Sequence, residues 1–189
     1  MSVPPAAPLE ADQVRVFFGF WPPEAERASL AAAGAALSLT GSARLVPRDS
    51  LHMTIAFIGA VPVAALGRVR RIGRDLRASA CTIEFDEYEY WTKPEVVVAA
   101  ARSIPPELQA LWDDLHRDLV AEGFELRVKR LRPHVTLMRH VRLGPQLPVL
   151  RPFAFRARDL SLIRSETGGT QSVYTVLDTW PLLDEMDRR

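Results

Sequence analysis

The sequence predicts an α+β fold: two pseudo-symmetric lobes whose antiparallel sheets line a central cleft, with helices outside. Three observations carry this. Apolar and aromatic runs come in adjacent pairs, as strands of hairpins do, instead of alternating regularly with helices. One supersecondary pattern occurs twice: an apolar run (residues 14–21 and 95–100), then Pro-Pro-Glu, a helical stretch, a basic loop containing proline, and His-x-Thr. The two copies also hold register, since their Pro-Pro-Glu triplets start at Pro22 and Pro105, 83 residues apart, and their histidines, His52 and His134, are 82 apart. Self-similarity at a fixed offset marks a duplicated unit. Two copies are too few for a solenoid and fit two related lobes of one domain.

The elements follow in order. Residues 14–21 are β-branched and aromatic, hence a strand. Pro22 and Pro23 stand where a helix begins, and Glu24 suits the positive end of its dipole. The helix runs through an Ala/Leu-rich stretch to residue 39, and Gly41 ends that region. Residues 53–58 form the first motif strand, closed by Gly59, and Pro62 opens a second helical stretch over 63–77, rich in arginine on one side. Residues 81–91 read as one long strand, with 95–101 as its hairpin partner across Thr92-Lys93-Pro94. Pro105 and Pro106 open the next helix, with Leu108, Leu111, Leu115 and Leu119 at helical spacing and Gly123 at its end. Residues 135–138 are the second motif strand. The prolines of 144–152 exclude a long helix there, and 153–163 and 172–177 read as two strands around Thr167-Gly168-Gly169-Thr170.

A chain of 189 residues with 48% hydrophobic residues fits one globular domain, here residues 13–183. Residues 1–12, Pro/Ala-rich without a basic start or hydrophobic run, are expected to be a disordered tail and not a signal peptide. Residues 184–189 are a polar C-terminal tail. No stretch is long and apolar enough to span a membrane, so a cytoplasmic location and a monomer are expected. Cys81 is the single cysteine, so neither an intrachain disulfide nor a cysteine metal cluster is available; it reads as a small core residue. The net charge of +1 gives no global field for nucleic acid. Positive charge is instead local: Arg127, Lys129, Arg130, Arg132, Arg139 and Arg142 bracket the second motif with no acidic residue among them. Such a stretch is either a solvated basic loop or a phosphate-attracting rim beside His134.

On a strand, residues two apart share a face, so His52 points with Thr54 and His134 with Thr136. Histidine titrates near neutrality, so one can serve as base while another serves as acid. Phosphodiester hydrolysis needs that pair: a base to deprotonate the attacking water and an acid to protonate the leaving oxygen on the opposite side of phosphorus. Two lobes facing across a cleft place one histidine on each side. The threonine hydroxyls can donate to phosphate oxygens, and Arg130 and Arg139 are the candidates to neutralise phosphate charge. A lone strand histidine is usually structural; duplication within a duplicated unit favours a shared active site. Two histidines are too few for the usual zinc ligand set, and no metal or other cofactor is expected. His116 falls on the charged face of a predicted helix, and His140 is read as solvent-exposed.

These motifs resemble the two-histidine (2H) phosphoesterase superfamily, and within it the bacterial RNA 2′,3′-cyclic phosphodiesterases, also called the 2′-5′ RNA ligase family. The resemblance spans residues 14–182. It includes Arg15-Val16-Phe17-Phe18-Gly19-Phe20-Trp21-Pro22, His52-Met53-Thr54-Ile55-Ala56-Phe57-Ile58-Gly59, Arg132-Pro133-His134-Val135-Thr136-Leu137-Met138-Arg139 and Tyr174-Thr175-Val176-Leu177-Asp178-Thr179-Trp180-Pro181-Leu182. Met53 and Ile55 depart slightly from the family's usual Leu or Ile and then Leu. The resemblance implies hydrolysis of a terminal 2′,3′-cyclic phosphate on RNA to a 2′-phosphate, with no required metal, and reversible joining of RNA ends through 2′-5′ linkages. Carried over by position, His52 is the proton donor to the leaving 3′-oxygen, His134 the acceptor that activates water, and Thr54 and Thr136 bind phosphate oxygens. The motifs are near copies, so the residues alone do not fix which histidine is acid. A small cyclic nucleotide as substrate, and an RNA-end-binding protein without turnover, are the alternative readings.

Overall fold

The computed structural model describes residues 10–184 apart from 39, 40, 127, 143, 145, 169 and 170. Its antiparallel ladders join three sheets. The first has the order β10-β9-β1-β3 and the second β2-β7-β6-β5, while β4 and β8 pair alone. In chain order these are β1 (Gln13–Phe20), β2 (Arg44–Leu45), β3 (Met53–Pro62), β4 (Cys81–Phe85), β5 (Glu87–Trp91), β6 (Val96–Ala100), β7 (His134–Arg139), β8 (Phe153–Ala157), β9 (Asp159–Gly168) and β10 (Gln171–Pro181). The helices are α1 (Glu24–Ala35), α2 (Leu66–Asp75) and α3 (Pro106–Ala121). Fold class and sheet architecture agree with the expectation.

The duplication is visible in the pairing. β1 lies antiparallel to β3 as β6 lies antiparallel to β7, so each motif strand is zipped to the first strand of its own repeat. The repeat is not, however, the spatial unit. α1 follows β1 of the first sheet yet packs on β7 of the second, and α3 follows β6 of the second sheet yet packs on β3 of the first. Tyr88 of β5 ties this exchange, its hydroxyl donating to the α1 carbonyl of Ala33 at 2.8 Å. One continuous core results, running from Phe18 and Met53 of the first sheet to Leu137 and Met138 of the second. Leu108, Leu111, Leu115 and Leu119 are all buried in it, as their spacing predicts. Burying each such side chain is worth about 1.5–3 kcal/mol.

Several boundaries differ from expectation for identifiable reasons. The strand predicted over 81–91 is two strands, because the chain changes sheets at Asp86: β4 pairs β8, and β5 pairs β6. Asp86 Oδ1 holds the corner by accepting from the Arg102 backbone N–H at 3.1 Å. The strand predicted over 153–163 likewise divides at Arg158 into β8 and β9. Periodicity alone does not reveal a sheet change when both halves are apolar. β3 continues beyond Gly59, which adopts φ +90° at a bulge where Val16 faces Gly59 but Phe17 faces Phe57. α2 is shorter than predicted and is preceded by a 3-10 turn, Val63–Ala65. The helix expected to reach residue 39 ends at Ala35. His116 is half-buried, not on an open charged face: its ring lies 3.7 Å from that of Trp112 and its Nδ1 is 3.0 Å from the Trp112 carbonyl. His140 is exposed, and Cys81 is buried in the core. Residues 1–9 and 185–189 of the expected tails, Arg127 of the basic stretch, and Gly169 and Thr170 of the expected turn lie outside the described residues. Asp184 is described, and pairs with Arg156 at 2.7 Å.

Gly73 marks the closest approach of α2 to the first sheet. A Cβ there would fall within 2.7 Å of three atoms of the Trp180 indole. Gly73→Ala is therefore expected to destabilise the fold by about 1–3 kcal/mol, the usual cost of overpacking. Combining it with Trp180→Leu should return part of that loss relative to Trp180→Leu alone. Urea denaturation of the three variants measures this, and additive losses would show that the ring is not the obstacle.

Candidate active site

Each motif strand carries the same irregularity. In the β1–β3 ladder Gly19 faces Thr54 and Phe18 faces Ala56, leaving Ile55 as an extra residue. In the β6–β7 ladder Val98 faces Thr136 and Val97 faces Met138, leaving Leu137 as the extra residue. A bulge shifts the alternation by one. The face that carries His52 and Thr54 thus goes on to Phe57, and the face that carries His134 and Thr136 goes on to Arg139. Both pairs of polar motif residues are half-buried, while Met53, Ile55, Val135 and Leu137 point into the core. β3 and β7 lie in contact, so the two motif strands are neighbours although they belong to different sheets. Gly19 serves this geometry, since a Cβ there would lie 2.7 Å from the Met53 carbonyl oxygen.

The histidines are held alike. His52 Nδ1 lies 2.7 Å from the carbonyl oxygen of Ser50, and His134 Nδ1 lies 2.6 Å from that of Arg132. Each carbonyl belongs to the residue two positions earlier in the chain. A carbonyl can only accept, so both Nδ1 atoms carry their protons. The tautomer is thereby set on each ring, and Nε2 is left to exchange a proton.

Their surroundings differ. His52 sits among aromatic rings: Trp21 stacks parallel to it at 5.5 Å, with Phe17 at 5.0 Å and Tyr174 at 4.6 Å. His134 is covered by Trp91 at 4.4 Å, and the Arg132 guanidinium lies 4.4 Å over the same indole. Glu89 accepts from both Trp91 Nε1 and Arg132. Burial pulls the His52 pKa down to about 4; the Ser50 carbonyl opposes this, and the charges of Arg139 and His134 add to it. Burial also lowers the His134 pKa, opposed by the Arg132 carbonyl and by Glu89, and reinforced by the guanidinium groups of Arg132 and Arg139. His52 feels the charge of His134, and both feel that of Arg139, so the three groups lie within electrostatic reach of one another. Without a bound anion both imidazoles are neutral near pH 7 and ready to accept a proton.

The structure thus gathers His52, His134 and Arg139, with Thr54 and Thr136 on the same two faces. Arg130 instead lines an adjoining cavity of about 450 Å³, which it shares with Trp91, Arg102 and Arg132. Phe17, Trp21, Tyr174 and Trp91 are site residues that the motif did not reveal. Trp21 follows Phe20, which faces Met53 in the ladder, so strand pairing would have found it. Tyr174 arrives on β10, 122 positions beyond His52 in the chain; its segment carries part of the family resemblance, but nothing in that segment places it beside His52. Among the described residues, no group of three or more His, Cys, Asp or Glu side chains is arranged to hold a metal ion.

No family model matches the chain. It is similar to the RNA 2′,3′-cyclic phosphodiesterase of Escherichia coli (strain K12), with 25% identity over 140 residues, 74% of this chain and 80% of that protein. It is also similar to the RNA 2′,3′-cyclic phosphodiesterase of Thermus thermophilus, with 28% identity over 185 residues and 93% of each chain covered. Among solved structures, TT0787 of Thermus thermophilus matches with a TM-score of 0.79 at 26% identity, over 90% of this chain and 99% of that one. Apo LigT of Escherichia coli shares the fold, with a TM-score of 0.81 at 24% identity over 91% and 99% of the two chains. The duplicated motifs, the bilobal architecture and these relatives agree: the chain is similar to the RNA 2′,3′-cyclic phosphodiesterases in sequence and shares the fold of their solved structures.

Proposed function

We propose that this protein hydrolyses RNA 2′,3′-cyclic phosphodiester ends to 2′-phosphomonoesters, with His52 and His134 as its acid–base pair. The observation that carries the proposal is the matched pair of imidazoles, each held through Nδ1 by the carbonyl two residues earlier, with Nε2 left to exchange a proton. In the reaction, His134 Nε2 takes a proton from the attacking water and His52 Nε2 delivers one to the 3′-oxygen as its bond to phosphorus breaks; the 2′-oxygen keeps the phosphate. Thr54 and Thr136 donate to non-bridging oxygens, and Arg139 offsets their charge. Replacing the water by the 5′-hydroxyl of a second RNA end gives a 2′-5′ linkage by the same proton transfers. The reading takes the chain as a cytoplasmic monomer. The hydrolytic reading is supported by the two relatives, both RNA 2′,3′-cyclic phosphodiesterases; among the described residues no helix is long and apolar enough to cross a membrane.

His52→Ala and His134→Ala should each lower turnover of a cyclic-phosphate-ended oligoribonucleotide about 10²–10⁴-fold with folding intact. The double variant should cost far less than the product of the two, because the pair acts as a unit. Thr54→Ala and Thr136→Ala remove one hydrogen bond to a charged group, about 1.5–3 kcal/mol, or roughly 10–100-fold. Near-native turnover by either histidine variant would refute the mechanism.

The pH profile follows from the lowered pKa values. The acid must be protonated and the base neutral, and kcat/KM reports the free enzyme. Both free histidines lose their protons below the ordinary value of 6.5, so the alkaline fall of kcat/KM should begin on the acidic side of pH 6.5. A bound phosphate anion favours the imidazolium form, so the alkaline limb of kcat should lie at higher pH than that of kcat/KM. Each single variant should lose one limb, and the limb lost by His52→Ala identifies its role. Coincident limbs above pH 7 would contradict the burial argument.

Proton transfer between two imidazoles and the substrate needs no Lewis acid. Turnover should therefore survive EDTA; loss in EDTA with recovery on added Zn²⁺ or Mn²⁺ would point to metal-assisted hydrolysis instead.

A further inference from the structure

The cavity beside His134 has no part in the proton transfers, yet it opens from the same face of the second sheet. The ladders β5–β6 and β6–β7 align three rows across that face: Glu87–Ala100–His134, Glu89–Val98–Thr136 and Trp91–Val96–Arg139. Two strand spacings, about 10 Å in all, separate His134 from Glu87. Over this span lies the cavity of about 450 Å³, within the size range of small-ligand sites. Its wall nearest the histidine is a braced assembly. The Arg132 guanidinium lies flat against Trp91, and Glu89 accepts from both. Trp91 is half-buried, with the His134 ring centroid 4.4 Å from its own and the Arg132 guanidinium 4.4 Å over it. The guanidinium is half-exposed, with 43% of its side chain accessible, and it lines the cavity. Arg102 and Arg130 line it as well, Arg102 being held by Glu87 at 2.9 Å.

We propose that this cavity is a nucleotide subsite that takes the RNA residue next to the one carrying the reacting phosphate. An arginine plane held in place is a stacking platform for an unpaired base. The carboxylates of Glu87 and Glu89 offer acceptors to exocyclic amino groups, and Arg102 and Arg130 offer charge to that nucleotide's own phosphate. The subsite makes single-stranded RNA, and not a cyclic mononucleotide, the preferred substrate class. It rests on the activity proposed above.

The test compares a tetraribonucleotide ending in a 2′,3′-cyclic phosphate with 2′,3′-cyclic AMP, on wild type, Arg102→Gln and Arg102→Glu. Wild type should favour the tetranucleotide about tenfold or more in kcat/KM. Arg102→Glu should remove most of that preference through KM, Arg102→Gln should remove part of it, and turnover of the mononucleotide should be unchanged by either. The same variants are titrated with a tetranucleotide ending in a 2′-phosphate and with 2′-AMP, following tryptophan fluorescence. Turnover of both cyclic substrates with no preference for the longer one overturns the subsite and leaves the activity standing. So does an equal loss on both substrates in the Arg102 variants. No turnover of either substrate, with tighter binding of the longer product that Arg102→Glu abolishes, overturns the activity and leaves the subsite standing.

Discussion

The site depends on one extra residue in each motif strand. Ile55 and Leu137 stand without a partner in their ladders, directly after the two threonines. Both are buried, so the core anchors each bulge in place. A regular strand would send the residue three beyond each threonine to the opposite face. The bulge returns it to the cleft, where one repeat supplies Phe57 and the other Arg139. Phe57 stacks on Phe17, which in turn touches His52. Arg139 acts by charge on both histidines. One backbone device, repeated, therefore lines the two sides of the cleft with opposite chemistry.

That difference sets two otherwise matched imidazoles in unlike surroundings. Their Nδ1 locks are the same, so orientation and tautomer are the same. What differs is the dielectric and the charge around them. The His52 side is walled by Phe17, Trp21 and Tyr174, which offer its imidazolium form no counter-charge. The His134 side has Glu89, which favours protonation, set against Arg132 and Arg139, which oppose it. In the proposed mechanism, an anionic phosphate between the two supplies the counter-charge that His52 lacks and adds to that of Glu89 beside His134. Substrate charge in that mechanism thus does more than attract: it raises the proton affinity of the histidine that acts as acid. A free enzyme with both rings neutral and a complex with one ring protonated are two states of the same electrostatic balance.

The duplicated His-x-Thr units, their 82-residue offset and the α+β class were legible in the sequence because each is local or repeats. Leucine spacing located the buried face of α3, and the prolines located the starts of α1 and α3. The sheet changes at Asp86 and Arg158 were not legible, since strand period is the same on either side of a corner. The Arg139 side chain illustrates a subtler limit. Simple alternation from His134 puts it on the core face; only the bulge at Leu137, a property of the β6–β7 register, brings it to the site. Tyr174 and Trp91 reach the histidines by sheet assembly, which neither the resemblance around Tyr174 nor the local sequence of Trp91 reveals. Arg130, by contrast, was named for its charge and proximity in sequence, and it lines the neighbouring cavity.

The exchange of helices between the halves explains how a cleft between two sheets can stay fixed at the precision that proton transfer demands. Were each repeat a self-contained lobe, the two histidines would sit on bodies joined by a hinge. Instead α1 of the first repeat packs on β7, the strand of the second histidine, and α3 of the second repeat packs on β3, the strand that follows the first. β2, from the loop that leads to His52, adds itself to the edge of β7, and the Val46 N–H donates to the Leu137 carbonyl at 2.8 Å. Opening the cleft would require pulling α1 and α3 from a single core, at a cost of several buried leucines. A motion of that kind amounts to unfolding, so the distance between the two Nε2 atoms is set by the packing of the core.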